Sequence, residues 1–240
     1  MSIQYNHSET YRPTESQLAS ALATAMTRVY GLMAVGLALT AIVAWITAHS
    51  ATILQLIFGN TIVFWGLLIG ELVLVIAIGR AINKLSPTAA TALFLFYAAL
   101  NGLTLAAVFL VYTLSSIALA FVATSSLFAA MSIIGYTTKR DMSKMGGFLL
   151  MALIGLIIAS VVNFFLASSA LEWVLTYAGI AIFLGLTVYH TQRIKQGTAA
   201  MLLSGQPEMV NRVAIMGALS LYLDFINLFL YLLRLIGRRR

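Results

Sequence analysis

The chain contains no cysteine, only three prolines, and few charges: Lys, Arg, Asp and Glu together make up 9% of its 240 residues. The missing cysteines remove thiol catalysis, thiolate metal sites and disulfides. Three prolines beside abundant leucine exclude collagen-like and disordered classes. A soluble domain needs far more polar surface than this composition supplies. What is there instead is 61% hydrophobic side chains and a mean hydropathy of +0.98. At roughly 20 residues per crossing, such a chain holds about six to eight membrane helices.

Residues 1–27 are polar and include Asn6, His7, Glu9, Arg12, Pro13 and Glu15. They form neither a basic n-region nor an apolar h-region, so no cleavable signal peptide is expected and the first helix directs its own insertion. Val29 to Gly70 and Leu85 to Thr138 are free of Asp, Glu, Lys and Arg. Each stretch is long enough for two helices. Polar punctuation divides the chain into spans at 28–48, 61–79, 88–111, 115–136, 146–167, 171–190 and 213–235. The domain reading is therefore a polar cytoplasmic tail (1–27), a single membrane domain (28–236) and a basic tail (237–240). No internal repeat argues for inverted halves.

The fourteen Lys and Arg exceed the seven Asp and Glu to give +7, and their placement reads as topology rather than nucleic-acid binding. Arg12 and Arg28, Arg80 and Lys84, Lys139, Arg140 and Lys144, and Arg193, Lys195 and Arg212 fall on one side if loops alternate. That side is expected to be the cytoplasm, with the N terminus in it. Seven crossings place Arg234 and the terminal Arg238, Arg239 and Arg240 on the other side. Either the seventh segment is re-entrant and returns the tail, or the earlier spans fix the topology and override it.

A carboxylate in mid-membrane costs roughly 2.5–3.5 kcal/mol on insertion scales and is a functional candidate by default. Two are present, Glu71 and Asp224. Steps of three or four along the last span put Gly217, Ser220, Asp224, Asn227, Tyr231 and Arg234 on one face, with leucine and phenylalanine around the rest. That seam belongs against a bundle interior or an aqueous path; a packing seam is the plainer alternative. Glu71 has only apolar company on its own face, so its partner comes from another helix or it is held protonated. Arg80 lies on the opposite face from Glu71. It reads as a helix-end cation that snorkels, or that reaches a carboxylate on one of the last two spans. His190 closes the sixth span, and beside a carboxylate it becomes a proton switch. His7 and His49 lie outside the spans or at their ends and carry no assignment.

Gly155, Ala159 and Asn163, and likewise Gly66 and Gly70, read as small-residue packing motifs. Ser125, Ala129, Ser132 and Tyr136 share one face of the fourth span. Asn101 and Thr104 of the third could line the same interior or serve as ordinary helix–helix glue. Every lysine falls in a loop on these boundaries, which excludes a retinal-type pigment. A single membrane aspartate excludes an aspartyl intramembrane protease, and His190 has no nucleophile motif beside it. No P-loop, HExxH, GxGxxG or Cys/His metal pattern occurs. No enzyme activity and no cofactor are expected.

The stretch ALSLYLDFINLFLYLLR, Ala218 to Arg234, resembles the signature of the Bax-inhibitor family, also called lifeguard or transmembrane Bax-inhibitor-motif proteins. The resemblance, to a bacterial member, extends through MSIIGYTTKRDMS (131–143), YAALNGLTL (97–105) and GLTVYHTQRIK (185–195). It implies an all-α membrane fold with six helices around a central seventh. It also implies a pH-sensitive calcium leak gated by two aspartates, one on each of the last two spans. Asp224 matches one of them. The other position holds His190, a departure from the family's Tyr-Asp. A helix-two carboxylate of the family falls at Glu71; Arg80 is offset from where the family's helix-two arginine is expected.

Two close carboxylates share a proton, whereas protonated histidine and ionised aspartate attract, so acid tightens this pair until the carboxylate itself protonates. Calcium affinity is expected to fall, since a hard cation prefers oxygen to nitrogen. The reading is a pH-modulated calcium-permeable leak of a bacterial inner membrane. His190 and Asp224 form its gate, Glu71, Arg80, Ser220 and Asn227 line or support its path, and Asp224 and Glu71 are the calcium ligands. The partners implied are the lipid bilayer, calcium and protons, with no nucleic acid. Two alternatives remain: a non-transporting regulator acting through membrane-protein partners such as proteases, and a proton-coupled cation exchanger.

Overall fold

The structure is a computed structural model that describes residues 14–82 and 84–239. Eight helices follow one another: α1 (Glu15–Ala48), α2 (Ala51–Phe58), α3 (Thr61–Ala81), α4 (Pro87–Val111), α5 (Leu114–Thr137), α6 (Ser143–Leu166), α7 (Ser169–Leu203) and α8 (Pro207–Ile236). All but α2 are long and apolar enough to cross a membrane.

Several boundaries differ from the sequence reading, α8 for instance starting at Pro207 rather than 213, and the clearest have a local reason. α1 starts at Glu15 rather than 28, so half of the expected tail is helical; the remainder, with Arg12 and His7, lies outside the described residues. Thr14 and Gln17 close a capping box there, Gln17 Oε1 accepting from the Thr14 amide at 2.9 Å. Beyond it Leu22, Ala25, Met26 and Val29 are buried at helical spacing. The polar break after Ala48 contains α2, capped by the Ser50 side chain. The largest difference is α7, which continues through Arg193 and Lys195 to Leu203, so Lys195 sits in a helix and His190 is well inside one. The polar residues that looked like loop are buried on the helix: Thr191, Gln192 and Thr198. Gln192 accepts from the Met142 amide at 2.9 Å and donates to the Arg140 carbonyl at 2.8 Å, folding the 138–142 loop onto α7. Only Ser204–Gln206 separate α7 from α8, with Gly205 at φ 71° making the turn.

α8 is the axis of the bundle: 67% of its most apolar stretch is buried, against 11–39% for the other spans. α1, α4, α5 and α7 pack directly on it, while α3 is carried mainly on α4 and α6 on α7. Tyr222 is the largest side chain with no exposure. Its ring meets Phe94 edge-on at 5.6 Å, and its hydroxyl lies 2.7 Å from Thr40 Oγ1. The other neighbours of Thr40 Oγ1 are carbonyls, that of Ala98 at 2.8 Å among them, so Thr40 donates to a carbonyl and Tyr222 donates to Thr40. One chain of hydrogen bonds thus ties α8 to α1 and α4. Tyr222→Phe removes one link and is expected to cost about 1 kcal/mol. Thermal unfolding in detergent is expected about 2–4 °C lower, and an unchanged midpoint would remove this tie from the account.

The end of α8 decides between seven crossings and a re-entrant segment. The Arg238 amide donates to Ser116 Oγ at 2.9 Å, the Thr113 amide donates to the Arg238 carbonyl at 3.3 Å, and Tyr112 bridges Arg239. The C terminus therefore lies at the α4–α5 turn, opposite the end that holds Lys139 and Arg140. The tail's excess charge is met there by Glu172, whose carboxylate lies 3.9 Å from both Arg234 and Arg239. Because the chain has no cysteine, one introduced thiol reports its own side. Arg140→Cys and Arg238→Cys are expected to react with an impermeant maleimide from opposite faces of the membrane; labelling from one face would restore the re-entrant arrangement.

Candidate functional site

The polar seam of α8 is turned to α7 along its whole length. Gly217 seats Ile194, Asp224 meets His190, and Tyr231 lies against Gly179. At the centre, His190 Nδ1 stands 2.7 Å from Asp224 Oδ2, the aspartate side chain 3% and the histidine 22% exposed. With an ionised carboxylate as acceptor, Nδ1 is the donor, and the second ring nitrogen is the atom that takes up a proton.

One cavity adjoins the pair, and a second lies farther along α8. The first, about 320 Å³, opens toward the basic end and is lined by His190, Arg193, Arg212, Ile82, Met209 and Ser220. A second, about 490 Å³, is lined by Ser160, Asn163, Glu172, Asn227, Tyr231 and Arg234 toward the opposite end. Ser220 and Asn227 are seven residues apart on α8, so about 10 Å of helix separates the two chambers. Asp224 is centred in that interval. Ser220 donates to the Met216 carbonyl at 3.0 Å and Asn227 to the Leu223 carbonyl at 2.8 Å. Both donors are thus satisfied within α8.

Other charged and titratable groups surround His190. Tyr189 places its ring 5.3 Å away, and Arg193 donates to the Tyr189 hydroxyl at 3.2 Å. Arg212 faces the same cavity from α8, and farther along that helix Asn211 accepts from Arg28 of α1. In the 138–142 loop, the Ser143 amide and hydroxyl beside Asp141 hold its carboxyl below the usual carboxylate range. Asp141 therefore stays ionised throughout the interval in which a histidine titrates.

Glu71 and Arg80 do not join the pair. Glu71 is buried on α3 and accepts from Thr104 Oγ1 at 3.1 Å and Asn101 Nδ2 at 3.3 Å, both on α4. Glu71 is thus held by α4 and Asp224 by α7. Among the described residues no cluster of three His, Asp or Glu could hold a metal ion. Arg80 is exposed in the last turn of α3 and forms no ion pair among the described residues. Glu172 has no place in the sequence reading, and Arg193 enters it only as a topology charge. The signal for Arg193 was its place one turn after His190, hidden while the helix was ended there.

A profile of the family described as Inhibitor of apoptosis-promoting Bax1 matches residues 22–240. Inner membrane protein YbhL of Escherichia coli K12 is 51% identical over 93% of this chain and 95% of its own. An uncharacterized protein of Borreliella burgdorferi is 46% identical over 90% of this chain and 92% of its own. Uncharacterized protein RP147 of Rickettsia prowazekii is 41% identical over 99% of both.

Proposed function

This chain belongs to the Bax-inhibitor family, and from that premise we propose that it is a pH-modulated, calcium-permeable leak of a bacterial inner membrane, its N terminus cytoplasmic. The observation that carries this reading is the His190–Asp224 contact of 2.7 Å, its aspartate buried, set between a cavity lined by His190, Arg193 and Arg212 and a second lined by Glu172, Asn227 and Arg234. Parting the pair would join the chambers; its closure keeps a cation from crossing. An inner-membrane relative at 51% identity supports the location.

The sign of the pH response follows from the charges. With the imidazole neutral, Nδ1 donates to the carboxylate. Protonating His190 adds the attraction of opposite charges to a hydrogen bond that the carboxylate already assists. It also adds positive charge beside Arg193 and Arg212, which opposes a divalent cation. Acid therefore closes the path, and calcium flux is several-fold lower at pH 6 than at pH 8. The two arginines keep the conductance small at any pH, which suits a leak.

The test is calcium uptake by liposomes holding the purified chain, from pH 6 to 8. Asp224→Asn keeps the shape and an acceptor for Nδ1 but not the charge, so its flux is expected to lose most of this pH dependence. Flux that rises on acidification, or a folded protein that passes no calcium at any pH, would refute the reading; the second result would favour a regulator acting through partners.

A further inference from the structure

A third cavity, about 510 Å³, lies between α1 and α5, which flank α8 without packing along one another. Met26, Tyr30 and Met33 form one wall, Phe128, Ser132 and Tyr136 the other, and Phe225 the floor. Its size suits a small ligand or a single chain, and exposed Phe121 and Ile133 mark its open side as the bilayer. The face on which Ser125, Ala129, Ser132 and Tyr136 align is thus the wall of a lateral crevice, not of the ion path.

One polar group inside it lacks a partner. Ser132 is 6% exposed, and its hydroxyl makes no hydrogen bond among the described residues. Its neighbours on α5 behave differently: Thr124, Ser126 and Thr137 each donate to the carbonyl four residues back. Ser132 lies five residues from the end of α5 at Thr137, about 7.5 Å along the axis. With the end of α5 at the outer edge of the headgroup zone, about 5–8 Å deep on each side of the bilayer, Ser132 falls just beneath that zone. Cations line the rim above. Lys195 stands 4.6 Å over the Tyr136 ring and gives one of its protons to the Tyr136 carbonyl at 2.8 Å. Exposed Lys139 and Arg140 follow in the next loop.

We propose that the crevice between α1 and α5 is a binding site for one anionic glycerophospholipid. Its acyl chain lies along Met33 and Phe128 to Phe225, an ester carbonyl accepts from Ser132, and the phosphate meets Lys195, Lys139 and Arg140. Apolar walls, an unpaired donor at carbonyl depth and a basic rim together match that one molecule. Phe225 is the residue next to Asp224, so an occupied crevice braces the axis beside the histidine–aspartate pair.

The test uses the full chain in liposomes containing phosphatidylglycerol with a photoactivatable acyl chain, and maps the cross-links by mass spectrometry. Labelling is expected to concentrate on residues 26–37 and 121–137 relative to the lipid-facing α6 residues Met151 and Ile158. Ser132→Ala is expected to lower crevice labelling about fivefold, the worth of one hydrogen bond. Ala129→Trp, which fills the mouth, is expected to abolish it while α6 labelling persists as the control for folding. A phosphatidylcholine probe is expected to label the crevice several-fold less. Uniform labelling around the bundle, equal labelling by the two headgroups, or labelling untouched by Ala129→Trp would each overturn the proposal. No ion flux enters the assay, so its outcome is separate from that of the leak.

Discussion

His190→Asp is expected to raise calcium uptake at pH 8 about tenfold or more and to steepen its decline toward pH 6. Two carboxylates in a contact as short as this one cannot both stay ionised, so they hold one proton between them. Loss of that proton leaves two like charges in van der Waals reach, and repulsion parts α7 from α8 at the point where only one wall separates the chambers. The same step turns a nitrogen ligand into oxygen, which a hard cation prefers. In the natural pair, by contrast, loss of the imidazolium proton leaves the hydrogen bond from neutral imidazole to the carboxylate in place, which keeps the contact closed more of the time. Both proteins pass less calcium in acid, but for different reasons: the histidine pair tightens, and the aspartate pair regains its shared proton. Since flux tied to one proton changes by at most about tenfold per pH unit, the two profiles are separable between pH 6 and 8. A His190→Asp profile that overlays the parent would remove position 190 from the gate, whatever the absolute flux.

How much of this was legible beforehand depended on whether a residue's meaning is local. Uncharged stretches of the right length announce helices, and α3, α4 and α5 begin and end within two residues of where polarity alone puts them. The seam on α8 was legible because one aspartate among leucines leaves a single face for the interior. α7 was cut short at His190 because Thr191, Gln192 and Thr198 look like loop residues in isolation. They are buried on a helix that runs on to Leu203, with the 138–142 loop folded onto it by Gln192. Glu71 illustrates the same limit: its carboxylate needs a partner, but that the partners are Asn101 and Thr104 depends on which helix lies beside α3.

Glycines carry the clearest case, and a prediction of opposite signs. Gly155 and Gly66 sit in small-residue patterns that suggest helix contacts, yet a Cβ at either would meet nothing within 4 Å. Gly135, in no such pattern, is where α5 touches α7: a Cβ there would lie 2.5 Å from the Val188 carbonyl and 2.9 Å from Thr191 Cβ. Spacing says which residues share a face, not which face has a neighbour, so only the packing distinguishes these positions. Gly155→Ala gains helix propensity at no steric cost and is expected to stabilise by about 0.5–1 kcal/mol. Gly135→Ala drives a methyl into backbone that cannot yield and is expected to cost about 1–3 kcal/mol. In thermal unfolding the first shifts the midpoint up by about 2–4 °C and the second down by about 3–10 °C. Val188 and Thr191 flank His190, so the displaced backbone at Gly135→Ala also pushes on the gate. The fraction that remains folded is therefore expected to show altered calcium flux, whereas Gly155→Ala keeps the parent profile. Equal shifts for the two variants would mean that α5 and α7 do not meet at Gly135, and the account of how His190 is held against Asp224 would fail with that contact.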